Sequence, residues 1–470
     1  MSAVVQNGRE DARERSRGHA LALFAEMDLS RPLVWHQGRS ISAGEFLVEA
    51  QALAQQLPDA RFAVNLCEDR YRFLVAFCAV AIAGQTNLLP SSRAPQAVDE
   101  VMHSYLASYA LSDRTLDPAP PRFFLLPKQD NAARPEISAP VAQVPQIAAD
   151  HIVAIGFTSG STGAPKANPK TWASICATSA LNDTALSAVA TAPNILATVP
   201  AQHMYGLELS ILLPLRSLGA VHSGHPLFPA DVAQALGEMP VPRVLVTTPF
   251  HLRALIEDRT KLPSLAAIVT ATAPLDVALA ALAEQHHDTQ VVEMFGSTET
   301  CVIAQRRTAR GESWSLYPNV ELHPQPDGTL VTASHFAEPT LLQDIVELLP
   351  ARRFNLRGRN GDLLEIAGKR ASLADLTRRL LAIPGVLDGV VFQLNDTACS
   401  SKKAVVRRLA ALVVAPTSSN AEILSQLRDA IDPVFLPRPL RRVKSLPRNA
   451  TGKLPREALL AVLSGKDSTD

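Results

Sequence analysis

The sequence predicts an α/β protein: a large N-terminal domain of sheets with helical crossovers, residues 1–357, followed by a small α+β domain, residues 358–470. Three observations carry this expectation. Short β-type apolar runs alternate with longer runs of helical period, as a sheet with crossover helices requires. The charge balance changes near Gly358, with 27 Lys/Arg against 34 Asp/Glu before it and 18 against 11 from there on. A Gly- and hydroxyl-rich stretch follows directly on an apolar strand, the arrangement of a ligand loop at a sheet's edge.

Taken in order, residues 1–30 are expected to form a polar arm and a short amphipathic helix. Leu33–His36 reads as strand. Ser42 is placed to cap a helix whose apolar residues Phe46, Leu47, Ala50, Leu53 and Leu57 follow a helical period. Arg61–Leu66 reads as strand, Tyr71–Ala83 as helix, Thr86–Leu89 as strand and Ala97–Ala107 as helix. Residues 113–150 read as connection, with a strand at Arg122–Leu126. Further strands are expected at Ile152–Phe157, Ile195–Val199, Arg243–Thr247, Ala266–Val269 and Gln290–Met294. Helices are expected at Leu207–Leu218, Ala230–Glu238, Pro249–Glu257 and Leu275–His286, then a β-rich region over 314–350.

Zero formal net charge over 470 residues excludes general nucleic-acid binding. The apolar run Phe73–Gly84 is too short to span a bilayer, so no membrane insertion is expected. The five cysteines, Cys67, Cys78, Cys176, Cys301 and Cys399, are scattered and lack metal-ligand spacing. With an N-terminus too polar for a signal peptide, they point to a reducing, cytoplasmic setting.

The chain is organised around Ile155-Gly-Phe-Thr-Ser-Gly-Ser-Thr-Gly-Ala-Pro-Lys166. Thr158, Ser159, Gly160, Ser161, Thr162 and Gly163 break the strand. Glycines let N–H groups turn toward an anion, hydroxyls donate, and Lys166 adds a positive charge. This is a phosphate cradle, but not the common NTPase loop, because Ala164 and Pro165 separate Gly163 from Lys166. The stretch resembles the adenylate-forming superfamily, which includes acyl- and aryl-CoA synthetases, luciferase and peptide-synthetase adenylation domains. The match is complete through Lys166; Ala167 stands where the family usually has glycine. Further motifs follow in family order over nearly the whole chain.

The resemblance implies roles, residue by residue. Glu293-Met-Phe-Gly-Ser-Thr-Glu299 is similar to the family segment in which a threonine touches the phosphate and a glutamate helps hold Mg²⁺. That maps onto Thr298 and Glu299, with Glu293, Met294 and Phe295 beside the nucleotide and Phe295 replacing the family tyrosine. Thr270-Ala-Thr-Ala-Pro-Leu275 is similar to the adenine-pocket segment, implicating Ala271, Thr272, Ala273 and Pro274. Pro200-Ala-Gln-His-Met-Tyr-Gly206 implies that His203 borders the acid pocket, with Tyr205, Thr248 and Ala271 near the substrate. Asp344, 15 residues before Arg359, implies a ribose-binding pair. Gly358–Arg370 is similar to the family hinge, with Gly361 at the pivot position. Leu446-Pro-Arg-Asn-Ala-Thr-Gly-Lys453-Leu-Pro-Arg456 implies that Lys453 is catalytic and that the small domain moves.

The implied activity has two halves. A small-molecule carboxylic acid attacks the α-phosphate of ATP, with Mg²⁺ as cofactor, giving an acyl-adenylate. A thiol, from CoA or from the phosphopantetheine of an acyl carrier protein, then takes the acyl group. Lys166, Lys453, Glu299 and His203 are the catalytic set. The chain is short for the family, and Lys166-Ala-Asn-Pro-Lys170 and the reduced hinge resemble the compact arylpolyene and xanthomonadin-type ligases. An aromatic acid loaded onto a carrier protein is therefore the expected reaction, with CoA as the alternative acceptor. A homologue that binds nucleotide without turnover is the competing class.

Overall fold

The computed structural model describes residues 19–127, 143–159, 165–359, 363–366, 369–394, 409–449 and 452–465. Contacts divide the chain into two compact units, one of residues 1–320 and 333–338 and the other of residues 321–332 and 339–470. The charge boundary expected at 357/358 lies inside the second unit. Gly160, Ser161, Thr162, Gly163 and Gly361 lie outside the described residues.

The first unit is built on two sheets. In one, the strands run Pro165–Thr171, Ile152–Ser159, Thr86–Leu89, Phe62–Asn65, Ser108–Ser112 and Phe123–Leu125. All neighbours are parallel except the first pair. The other sheet has a parallel centre of Gln290–Ser297, Ala267–Thr270, Arg243–Thr247, Asn194–Ala197 and Ala220–His222. Cys301–Arg306 extends it antiparallel beside Gln290–Ser297. Parallel strands covered on both faces need near-continuous apolar sequence, as Ala267-Ile-Val-Thr270 shows. Leu196, Leu245, Ile268 and Val291 form one register row packed under the 229–237, 249–258 and 277–287 helices.

Local signals worked where packing agreed with them. Ser42 and Glu45 form a capping box at the start of Ala43–Ala54. The apolar run after Asp69 becomes the almost wholly buried helix Arg70–Ile82. Other expectations are corrected. Residues 20–22 are a strand paired with 146–148, and no helix occurs within 19–30. The helix expected over 207–218 is a short α-turn, Met204–Leu207, then a π-helical turn, Glu208–Leu212, then Leu213–Arg216. Helix Trp172–Ser187 escaped the apolar pattern because its small and hydroxyl residues give no sharp stripe, although Thr171 caps it by accepting from the Ser174 amide. Pro165–Thr171, read as loop continuation, is a strand; it lies at the sheet's edge, the position in a sheet where proline is tolerated.

The second unit contains the hairpin Asp344–Leu349 with Arg353–Arg359 and a three-stranded sheet of Asp388–Gln393, Leu409–Val414 and Leu440–Arg442. Alternation sorts that sheet's side chains into two cores. Val391, Ala411 and Val413 pack with Leu376, Leu380 and Ile423; Phe392, Ala410 and Leu412 pack with Leu446 and Leu459.

Candidate active site

Two hairpins converge in the first unit. Ile152–Ser159 returns through Pro165–Thr171, so that Thr158 faces Lys166 and Gly156 faces Asn168. Gln290–Ser297 returns through Cys301–Arg306, leaving Thr298, Glu299 and Thr300 in the turn. The strand thus runs three residues beyond its expected end at Met294. Ser297 and Thr300 lock this turn with reciprocal hydroxyl–amide bonds of 3.2 Å each.

The Thr158 hydroxyl donates to Glu299 Oε1 at 3.4 Å. A Cβ at Gly156 would come within 3.0 Å of Thr298 Cγ2 and 3.2 Å of Met204 Cε, so the absent side chain is what lets the turn seat against the strand. Buried Asn168, which sequence reasoning passed over, donates toward the Gly156 carbonyl, the Thr158 hydroxyl and the Lys166 carbonyl over 3.1–3.4 Å. The Lys170 ammonium, also buried, donates to the Glu299 carbonyl at 2.6 Å. The one visible signal for these two was the unusual sequence after Lys166.

Among the described residues there is no cluster of three or more metal-ligating side chains. A cation here would rest on Glu299 together with phosphate oxygens. That donor set suits Mg²⁺, which keeps its waters and takes one or two carboxylates plus substrate phosphates.

Glu293 does not present its carboxylate to a ligand. It is buried and accepts from the Leu275 amide at 3.0 Å, from Arg306 at 2.7 and 2.8 Å and from the Thr308 hydroxyl at 2.5 Å. The carboxylate fixes the end of the Ala271–Leu275 segment through the Leu275 amide. Met294 is buried, while Phe295 is half-buried with its ring 5.3 Å from that of Trp314. Arg306 in turn lies over the Trp314 ring at 4.4 Å.

The Ala271–Pro274 segment follows the end of Ala267–Thr270. Thr272 has φ of +81°, a conformation that costs a β-branched residue about 1–3 kcal/mol. The resemblance puts a Gly or Ala-rich turn here, and the backbone takes the shape a glycine would.

His203 is half-buried at the start of Met204–Leu207. Tyr205 and Thr248 are less available than expected. The Tyr205 hydroxyl donates to the Val269 carbonyl at 2.9 Å, and burial pushes the phenol well up. Thr248 is fully buried, and its hydroxyl caps Pro249–Asp258 through the His251 amide. Beside them is a polar group that no motif announced. Thr198 Oγ1 meets Thr247 Oγ1 at 2.8 Å and His251 Nδ1 at 2.9 Å, and His225 Nε2 meets the Thr198 carbonyl at 3.0 Å. Burial pushes both imidazoles down, His225 to about 4.

Two predicted groups belong to the second unit. Asp344 and Arg359 are register partners in adjacent strands, with Arg359 Nε donating to Asp344 Oδ1 at 3.0 Å. Lys453 is exposed on a tight turn. Its amide donates to Asn449 Oδ1 at 2.9 Å, and Gly452 sits at φ +76°. Arg448 braces the turn by donating to the Gly452 carbonyl and to both Asp388 oxygens. Only glycine adopts that φ without cost, so Gly452 sets the angle at which the lysine leaves the turn.

A family model described as "AMP-binding enzyme" matches residues 24–323. A 4-coumarate–CoA ligase of Halorhodospira halophila is 28% identical over 322 residues, covering 65% of this chain and 76% of the relative. ATP-bound MatB from Rhodopseudomonas palustris superposes with a TM-score of 0.77 at 18% identity, covering 95% of this chain and 98% of that one. The anthranilate CoA ligase AuaEII, in complex with anthranoyl-AMP, superposes with a TM-score of 0.76 at 16% identity, covering 98% of each chain.

Proposed function

The chain belongs to the AMP-binding enzyme family, and from that premise we propose that it is an AMP-forming acid–thiol ligase acting on an aromatic carboxylic acid with ATP and CoA. The observation that carries the reading is the approach of Thr158 to Glu299 at 3.4 Å, with Lys166 opposite Thr158 in register. One strand hairpin supplies a hydroxyl and a cation, the other a carboxylate, at the carboxyl ends of parallel strands.

In the first half-reaction a carboxylate oxygen attacks the α-phosphorus, the bond to the β-phosphate oxygen breaks, and pyrophosphate leaves. No protein nucleophile is needed; the requirement is in-line positioning and neutralisation of charge. Lys166 and the Thr158 hydroxyl serve the phosphates. Bound Mg²⁺, held by Glu299, would offset charge on the β- and γ-phosphates. Thr298, which lies against Gly156, is assigned to the phosphate. The Ala271–Pro274 backbone and Phe295 are assigned to adenine, Asp344 and Arg359 to the ribose hydroxyls, and Lys453 to the attacking carboxylate. In the second half-reaction the thiolate attacks the acyl carbonyl and AMP leaves, with His203 bordering the acid.

The aromatic assignment and the CoA acceptor follow the relatives named 4-coumarate–CoA and anthranilate CoA ligase. The carrier-protein acceptor rests only on the subgroup resemblance and becomes the second arm of the test. Among the described residues no helix is long and apolar enough to cross a membrane.

The test is acid-dependent ATP–pyrophosphate exchange over a panel of aromatic and aliphatic acids, followed by thioester formation with CoA or a phosphopantetheinylated carrier protein. Exchange with an aromatic acid and thioester with CoA is expected. Exchange with none, in folded protein that still binds ATP, would replace the ligase by a nucleotide binder. Thioester with carrier protein alone would move the acceptor.

A further inference from the structure

We propose that Lys170 and Glu208 are positioning residues that grip the 299–302 backbone from its two ends and so aim the Glu299 carboxylate. The inference rests on the reading of Glu299 given above.

Lys170 closes the Pro165–Thr171 strand and donates to the Glu299 carbonyl at 2.6 Å. Glu208 opens the π-helical turn, and its two carboxylate oxygens accept from the Val302 amide at 3.2 and 3.1 Å. Asn182 supports Glu208 with a bond of 3.1 Å and is itself held by the Tyr317 hydroxyl at 3.1 Å. Lys170 is 7% exposed and Glu208 2%. Between the two grips, Cys301 is buried at φ +60°, a conformation a non-glycine residue holds only when its surroundings impose it. Its thiol faces both Lys170 and Glu208.

A stability role does not explain this arrangement. Burying polar or ionisable side chains is usually no better for stability than burying apolar side chains of the same volume. What a buried polar group adds is a directed bond to a chosen backbone group. Here Lys170 and Glu208 each spend that bond on the segment bearing Glu299. π-Helical turns also cluster at functional sites, where the extra residue re-aims a side chain; this one delivers Glu208. The two residues are 38 apart in sequence and reach the turn from different elements, so the turn's shape is set from outside it.

The experiment compares wild type with Lys170→Met, Glu208→Gln, the double variant and Glu299→Gln. Calorimetry measures ATP binding without acid, with and without Mg²⁺, and a thermal melt of the ligand-free protein reports folding. The gain in ATP affinity on adding Mg²⁺ is expected to fall about 10-fold in each single variant, as when an outer-shell partner of a metal ligand is removed. The double variant should fall no further, because the two act as a unit. The melt shows whether each variant still folds, so that a fall in the Mg²⁺ gain is not read from unfolded protein. If a single variant does not fold, the double carries the same comparison. A full loss of the Mg²⁺ gain in Glu299→Gln, with no change in the Lys170 and Glu208 variants, would overturn the inference while sparing Glu299. No change in Glu299→Gln would instead remove the reading beneath it.

Discussion

Thr158 donates to Glu299 across two hairpins at 3.4 Å, and Lys166 faces Thr158 in register. Thr158→Val keeps shape and strand preference while deleting the donor. Adenylation should fall with little change in the ligand-free melting temperature. Lys166→Ala removes a fixed cation from the transition state and should lower pyrophosphate exchange by about 10²–10³-fold. Equal exchange in Lys166→Ala and wild type would take the phosphate role away from this strand.

Lys453 should separate the half-reactions. Lys453→Ala is expected to lower adenylation by about 10²-fold or more, leaving thioester formation from supplied acyl-adenylate largely intact. Single-turnover assays of the two halves decide it. Equal loss in both would show that the lysine, or the turn braced by Arg448 and Asp388, serves the whole cycle.

His203→Ala should change which acids are accepted, by about 10-fold or more in kcat/KM for the preferred acid, and leave the KM for ATP nearly unchanged. An unaltered acid profile and thiolation rate would remove His203 from the acid pocket.

Thr272 stores backbone strain at φ +81°. Thr272→Gly and Thr272→Ala lose the same side-chain contacts, but only glycine relieves the backbone. The glycine variant should therefore melt at or above the alanine variant, although glycine elsewhere costs about 0.5–1 kcal/mol relative to alanine. The reverse order would show that the turn is unstrained.

Glu208 links stability to pH. Burial, opposed by the Val302 amide, Asn182 and Lys170, pushes its carboxyl up to about 7 from an ordinary 4.5. Cys301, Tyr205 and Tyr317 also face it, and burial pushes each of them up from an ordinary value already above neutral pH. The folded protein thus holds this proton more tightly than the unfolded chain does. Its contribution to stability is complete below about pH 4.5 and is lost as pH rises through about 7. Denaturant midpoints measured from pH 5 to 8 should fall with rising pH in wild type relative to Glu208→Gln. A constant difference between the two would refute the shift.

Much of this was legible in the sequence because the chemistry is local. Thr158, Lys166, Thr298, Glu299 and Lys453 sit in short motifs whose glycines and hydroxyls have no reason to follow an apolar strand unless a ligand meets them. Apolar period located most of the central strands and most helices, but missed the interior strands Ser108–Ser112 and Ala220–His222. It failed on Pro165–Thr171, where an edge position excuses the prolines, and on Trp172–Ser187, whose small residues draw no stripe.

The sequence by itself determined the family, the α/β class and the chemical groups offered to a nucleotide, since these depend on residue type and near-neighbour spacing. Tertiary structure alone decided which groups were free to act. Glu293 was drawn into a buried cluster with Arg306 and Thr308, Thr248 became a helix cap, and Tyr205 was spent on the Val269 carbonyl. It also brought Lys170 and Glu208 to the Glu299 turn from 129 and 94 residues away from their partners in it. Burial, and the hydrogen bonds that burial makes obligatory, come from contacts between distant segments, and no local pattern encodes them.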